Sequence, residues 1–96
     1  MAREPILYLN GAWKRLSEAH ISVLDQGFLL GDGVFDVVSA WKGSLFRLDE
    51  HLERLDQSLR AARLGLPLSR EAWRDAVVET LRRNELRVAS VGLFVT

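Results

Sequence analysis

The hydrophobic periodicity of the chain changes near residue 48, and that change dictates which layers it can build. From Val34 to Trp41 the side chains alternate. Val34, Asp36, Val38 and Ala40 fall on one side, with Phe35, Val37, Ser39 and Trp41 on the other, which is the period of a strand. After Leu48 the spacing is helical. Leu52, Leu55, Leu59 and Ala62 form one stripe, and Trp73, Ala76, Val77, Thr80 and Leu81 form a second. "RVASVGLFVT" (87–96) returns to the strand pattern. A block of strands, two amphipathic helices and a closing strand predict an α+β fold. Its expected form is a two-layer sandwich, an antiparallel sheet with both helices packed on one face.

Local signals set the boundaries. "ILYL" (6–9) and "AWKR" (12–15) flank Asn10-Gly11, the pair a type I′ hairpin turn prefers because both central residues need positive φ. Residues 16–27 read as a connection, with a short strand at Ile21 and Val23. Lys42-Gly43 turns the chain into "SLFRL" (44–48), and Asp49 is the expected N-cap of the first helix. That helix is expected to end near Leu64-Gly65, before Pro67. Ser69 caps the second, Leu68 and Trp73 stand at its hydrophobic-staple positions, and Asn84 fits its end. The chain stops inside a strand, so the expectation is a truncated one.

Few functional classes survive composition. Thirteen basic and thirteen acidic residues balance, with no basic stripe for nucleic acid. No cysteine is present, which removes disulfides, thiolate metal sites and a cysteine nucleophile. Two histidines without acidic residues at ligand spacing make metal binding an unfavoured reading. No signal peptide or membrane-length apolar run is visible, so the expected location is cytoplasmic, with no membrane partner. "GDG" (31–33) is too short for a phosphate-binding fingerprint and precedes a strand where such motifs need a helix. Asp25 and Asp32 read as turn formers. Arg54 lies roughly 120° around its helix from the leucine stripe and, by itself, reads as a solvated surface residue. The two glycines around Asp32 require a backbone reason, since glycine inside an element costs about 0.5–1 kcal/mol relative to alanine.

Taken together, "SVLDQGFLLGDGVFDVV" and "GSLFRLDEHLERLDQSL" resemble the amino-terminal part of the class IV, fold-type IV aminotransferases. This pyridoxal-phosphate family includes branched-chain and D-amino-acid aminotransferases, (R)-selective amine transaminases and aminodeoxychorismate lyase. The resemblance runs from the Asn10-Gly11 hairpin to Thr96. It implies that residues 1–96 are the small amino-terminal domain, with the cofactor-lysine domain absent. It also implies that Arg54, in the His-x-x-Arg motif begun by His51, binds the 5′-phosphate of pyridoxal 5′-phosphate. Phe35 and Val37 are implied to line the substrate side of the pocket, while Asp32 is a turn residue and His51 structural. Gly31 and Gly33 would then give the backbone angles and the close approach that a turn at the active-site rim needs.

The implied activity moves an amino group between an amino acid or amine and a 2-oxo acid, in a homodimer. "GDGVFDV" resembles the D-amino-acid and amine branches more than the branched-chain one, although Phe35 stands where D-amino-acid enzymes commonly carry tyrosine. No catalytic residue is expected within residues 1–96. The only lysines, Lys14 and Lys42, sit beside hairpin turns, so this portion alone is expected to be inactive. Two rival readings remain: a lyase of the aminodeoxychorismate type on the same scaffold, and a non-enzymatic dimerisation or binding module.

Overall fold

A computed structural model describes residues 3–96. The element order is β1 (Ile6–Leu9), β2 (Ala12–Arg15), a 3-10 turn (Leu16–Glu18), α1 (Gln26–Leu30), β3 (Val34–Trp41), β4 (Ser44–Leu45), α2 (Leu48–Ala61), α3 (Arg70–Arg83) and β5 (Ala89–Val95). The fold is α+β, as the periodicity predicts. The strands divide into two antiparallel sheets, a β1-β2 hairpin and a three-stranded sheet of order β4-β3-β5.

Alternation along β3 partitions the molecule. Val38 and Ala40, with Val91 and Leu93 of β5, join Leu52, Leu55 and Leu59 of α2 and Trp73, Val77 and Leu81 of α3 in one buried cluster. Both helical stripes therefore face the same side of the sheet. An acidic edge of α2 meets a basic edge of α3: Arg70 reaches Glu53 at 2.6 Å and Asp56 at 3.2 Å, and Arg74 pairs with Asp49.

The hairpin lies outside the main sheet and is tied down by α3. Asn10 and Gly11 have φ of 51° and 85°, the positive pair the sequence predicts. Asn84 ends α3 and grips β1 by its side chain, accepting from Ile6 N–H at 2.8 Å and donating to Ile6 C=O at 2.8 Å. Ser69 caps α3 as expected, its hydroxyl accepting from Ala72 N–H at 3.1 Å.

Several boundaries differ from the sequence reading. Ile21 and Val23 form no strand and are exposed, and β4 is only two residues long. Asp49 is not the cap of α2. The helix starts at Leu48 behind Arg47, whose φ is 53° and which makes no side-chain cap. Half-buried Leu48 packs against the core, and that burial outweighs the missing cap. Helix α2 stops at Ala61, short of Leu64-Gly65, because Leu64 turns back onto the core.

Helix α1, five residues long, is too short to show as a periodic stripe. Asp25 caps it by accepting from Phe28 N–H at 3.2 Å. The two glycines after it do different jobs. Gly31 has φ 72° and closes α1, its N–H returning to Gly27 C=O at 3.2 Å and the Asp32 N–H to Gln26 C=O at 3.4 Å. Gly33 serves close approach: a β-carbon there would lie 3.1 Å from Thr96 Cγ2 and 3.2 Å from the Val95 carbonyl. The Thr96 hydroxyl in turn donates to Asp25 at 2.8 Å, so the end of β5 is seated against the start of α1.

These roles predict different substitution patterns. Gly31→Ala should cost about 1 kcal/mol, and Gly31→Asn less, because asparagine tolerates left-handed backbone. Gly33→Ala should cost about 1–3 kcal/mol through overpacking, partly relieved by Thr96→Ser, which removes the crowded methyl. Urea unfolding of the four variants checks this, and equal tolerance of Ala and Asn at Gly31 would remove the left-handed-cap account.

Candidate functional site

The alternation that buries Val38 and Ala40 also buries a carboxylate. Asp36 is 6% exposed and shares the core-facing side of β3. An ionised carboxylate in that position needs partners, and Asp36 has four. Its Oδ2 accepts from Arg54 Nε at 2.8 Å. Its Oδ1 accepts from Arg54 Nη2 at 2.8 Å and from the Val37 backbone N–H at 2.8 Å. His51 Nδ1 lies 2.9 Å from the same oxygen and donates to it. The hydrogen bonds from Arg54 above all hold the Asp36 pKa down, to about 2.

Helix geometry brings these donors together. His51 and Arg54 are three residues apart on α2, hence neighbours on its surface, and that surface lies over β3. The guanidinium binds Asp36 by its Nε/Nη2 edge, in the two-pronged manner typical of arginine and carboxylate. Its Nη1 has no partner among the described residues, and the side chain is 65% exposed. Arg54 therefore shows one edge of its fork to the protein and the other to solvent.

This corrects the view of Arg54 as a free-standing, solvated helix residue. It is anchored, and the anchor is Asp36, which by sequence is only one position of an alternating strand. A charged residue among the core-facing positions Val34, Val38 and Ala40 was the available signal.

A cavity of about 330 Å³ opens where β3 meets α2, lined by Phe35, Asp36, Val37, Arg54 and Ser58. β4 pairs only with Ala40 and Trp41, so β3 has an open edge beside the cavity. The Val37 N–H on that edge is covered by Asp36. Phe35 and Val37 lie on the face of the sheet away from the core, 68% and 42% exposed, with Phe35 stacked on Phe94 at 5.8 Å between ring centroids. Neither belongs to the buried core of this chain. Phe35, Val37 and Arg54 thus border one cavity.

The lysines lie elsewhere. Lys14 is in β2, and Lys42 is exposed in the β3–β4 turn beside Trp41. Asp32 is exposed in the turn between α1 and β3, as a turn residue would be. Among the described residues no group of three metal-ligating side chains occurs, and no helix is long and apolar enough to cross a membrane.

Residues 33–96 match the family model for amino-transferase class IV. The chain belongs to that family. A putative branched-chain-amino-acid aminotransferase of Methanocaldococcus jannaschii is 44% identical over 90 residues, covering 94% of this chain and 31% of that protein. A D-alanine aminotransferase of Staphylococcus haemolyticus is 31% identical over 90 residues, with 94% of this chain and 32% of that protein covered. An aminodeoxychorismate lyase of Bacillus subtilis is 30% identical over 82 residues, 85% of this chain and 28% of the lyase. Among solved structures, a T.th. branched-chain amino acid aminotransferase complexed with N-(5′-phosphopyridoxyl)-L-glutamate superposes with a TM-score of 0.89. It is 28% identical, covering 98% of this chain and 33% of that one. The chain therefore spans about a third of the length of the proteins it matches. Curated relatives of both the branched-chain and the D-alanine branch match this chain.

The Asp36 cluster predicts an acid-labile contribution to stability. A carboxylate near its ordinary pKa of 3.8 when unfolded and near 2 when folded stabilises the fold fully above about pH 4. That stability is lost as the pH falls toward 2. Asp36→Asn should flatten this part of the curve of melting temperature against pH. Arg54→Ala should lower the melting temperature near neutral pH, because a buried carboxylate loses its main partner. An Arg54→Ala melting curve identical to the parent would count against the anchoring.

Proposed function

We propose that this chain is the amino-terminal domain of a pyridoxal-phosphate-dependent aminotransferase, acting on an amino acid or amine and a 2-oxo acid. The observation that carries the proposal is the outer edge of the Arg54 guanidinium. Held by Asp36 and bordering the Phe35–Val37 cavity, it is a fixed donor pair beside an apolar wall. The donor set fits the cofactor's phosphate: a planar cation can take two phosphate oxygens in paired, charge-assisted bonds. The bound cofactor supplies the electron sink that amino-group transfer needs. This chain's part is positional. Arg54 holds the phosphate, Asp36 and His51 fix Arg54, and Phe35 and Val37 form a side of the pocket that excludes water from the substrate.

In this reading the lysine that holds the cofactor covalently comes from the rest of the protein, since neither Lys14 nor Lys42 approaches the cavity. The intact enzyme is proposed to be a cytoplasmic homodimer. Val23, Leu24, Phe28 and Leu30, ahead of β3, are exposed apolar residues suited to burial by a second subunit.

In the intact protein, Arg54→Ala should weaken pyridoxal-phosphate binding by about ten- to more than a hundredfold, given what a hydrogen bond to a charged group contributes. Arg54→Lys should recover only part of this, as a point charge lacks the two-pronged geometry. Spectroscopic titration of refolded apoprotein, well below its melting temperature, checks this. Parent-like affinity in Arg54→Ala would overturn the assignment.

A further inference from the structure

Helix α2 carries a hydroxyl that the fold does not use. Ser58 follows Arg54 by four residues, one turn along the same face, and both line the cavity with Phe35, Asp36 and Val37. A serine or threonine inside a helix commonly turns its hydroxyl back to the carbonyl four residues earlier. Thr80 of α3 does so, donating to Ala76 C=O at 2.7 Å. Ser58 does not: among the described residues its hydroxyl has no hydrogen-bond partner, although the residue is only half-exposed. The same helix surface thus presents an unpartnered hydroxyl beside an unpartnered guanidinium edge.

We propose that Ser58 is the second donor from this helix to the phosphate held at Arg54. The inference rests on the phosphate reading of Arg54 and extends it to a residue with no other evident task. The chemistry is complementary. Asp36 occupies the Nε/Nη2 edge of Arg54, so an anion must approach from the Nη1 side, and a phosphate has more oxygens than that edge can take. A hydroxyl one turn away donates to an oxygen the guanidinium leaves free. Serine is also small enough to leave the cavity open, where a longer polar side chain would fill it.

The test compares pyridoxal phosphate with pyridoxal, which lacks the phosphate, in the intact apoprotein. Ser58→Ala should weaken pyridoxal-phosphate affinity about tenfold and leave pyridoxal affinity unchanged. Ser58→Thr, which keeps the hydroxyl, should restore most of the loss. Inorganic phosphate should protect the parent against thermal unfolding more than it protects Ser58→Ala. Alanine favours helix more than serine, so the unliganded variant should melt no lower than the parent. If Arg54→Ala loses affinity and Ser58→Ala does not, the Ser58 role is overturned and the Arg54 reading stands. If neither loses affinity, both fall. Equal loss of pyridoxal and pyridoxal phosphate in Ser58→Ala would make its effect structural and overturn the proposal as well.

Discussion

Burying the Asp36 carboxylate is the constraint around which this structure is arranged. A carboxylate placed among core-facing residues of a strand is expensive unless its charge is paired and both oxygens are hydrogen-bonded. Meeting these conditions takes a donor from the strand itself and two side chains from the element above. Val37 N–H, His51 and Arg54 fill those places. The demand fixes the rotation of α2 over β3, because His51 and Arg54 must face down at one end while Leu52, Leu55 and Leu59 fill the core. It also turns a flexible arginine into a fixed one. The polar cluster and the apolar cluster thus impose the same placement of one helix.

The β3 strand serves stability and the site at once because its period is two. Val38 and Ala40 join the core, Asp36 organises the cation, and Phe35 and Val37 face outward. A one-residue slip against β5 would exchange these sets. The register that pairs Phe35 with Phe94 and Asp36 with Leu93 protects the core and the candidate pocket together. The glycine-bracketed turn supports that register from one end: Gly31 closes α1, and Gly33 lets the strand start beside the end of β5. Thr96, bonded to Asp25, ties the closing strand to the helix before the turn.

Much of this was legible in sequence because it depends on periodicity and local chemistry. The leucines of the first helix stripe, the second stripe, the Asn10-Gly11 hairpin and the Ser69 cap read correctly for that reason, while Ala62 falls past the end of α2 and is exposed. What escaped depends on contacts remote in sequence. Asn84 was placed at a helix end, but its hold on Ile6 spans almost the whole chain. Helix α1 is too short for its apolar residues to show a period, and they face outward. The candidate site was half legible: family likeness pointed to Arg54, Phe35 and Val37, whereas the Asp36 anchor appears only when β3 and α2 are brought together. At Asp36 the alternation was legible, but the side-chain partners that make its burial tolerable lie on α2 and were not.

In the proposed role Arg54 would hold an anion while clamped by Asp36, which cancels much of the charge that attracts one. Two unit charges about 7 Å apart at an effective dielectric near 40 repel by about 1 kcal/mol, and more against a dianion. Against this stands the side-chain entropy of arginine, about 2 kcal/mol, which an unanchored residue would lose on binding and Asp36 extracts on folding. The two effects are of similar size, so in the proposed role Asp36 would contribute little to the strength of anion binding and much to its direction. A phosphate bound at Arg54 would then be positioned through Asp36 by β3, the same strand that presents Phe35 and Val37. Under that proposal the ligand would be referenced to a single strand, which a stronger but mobile cation could not achieve.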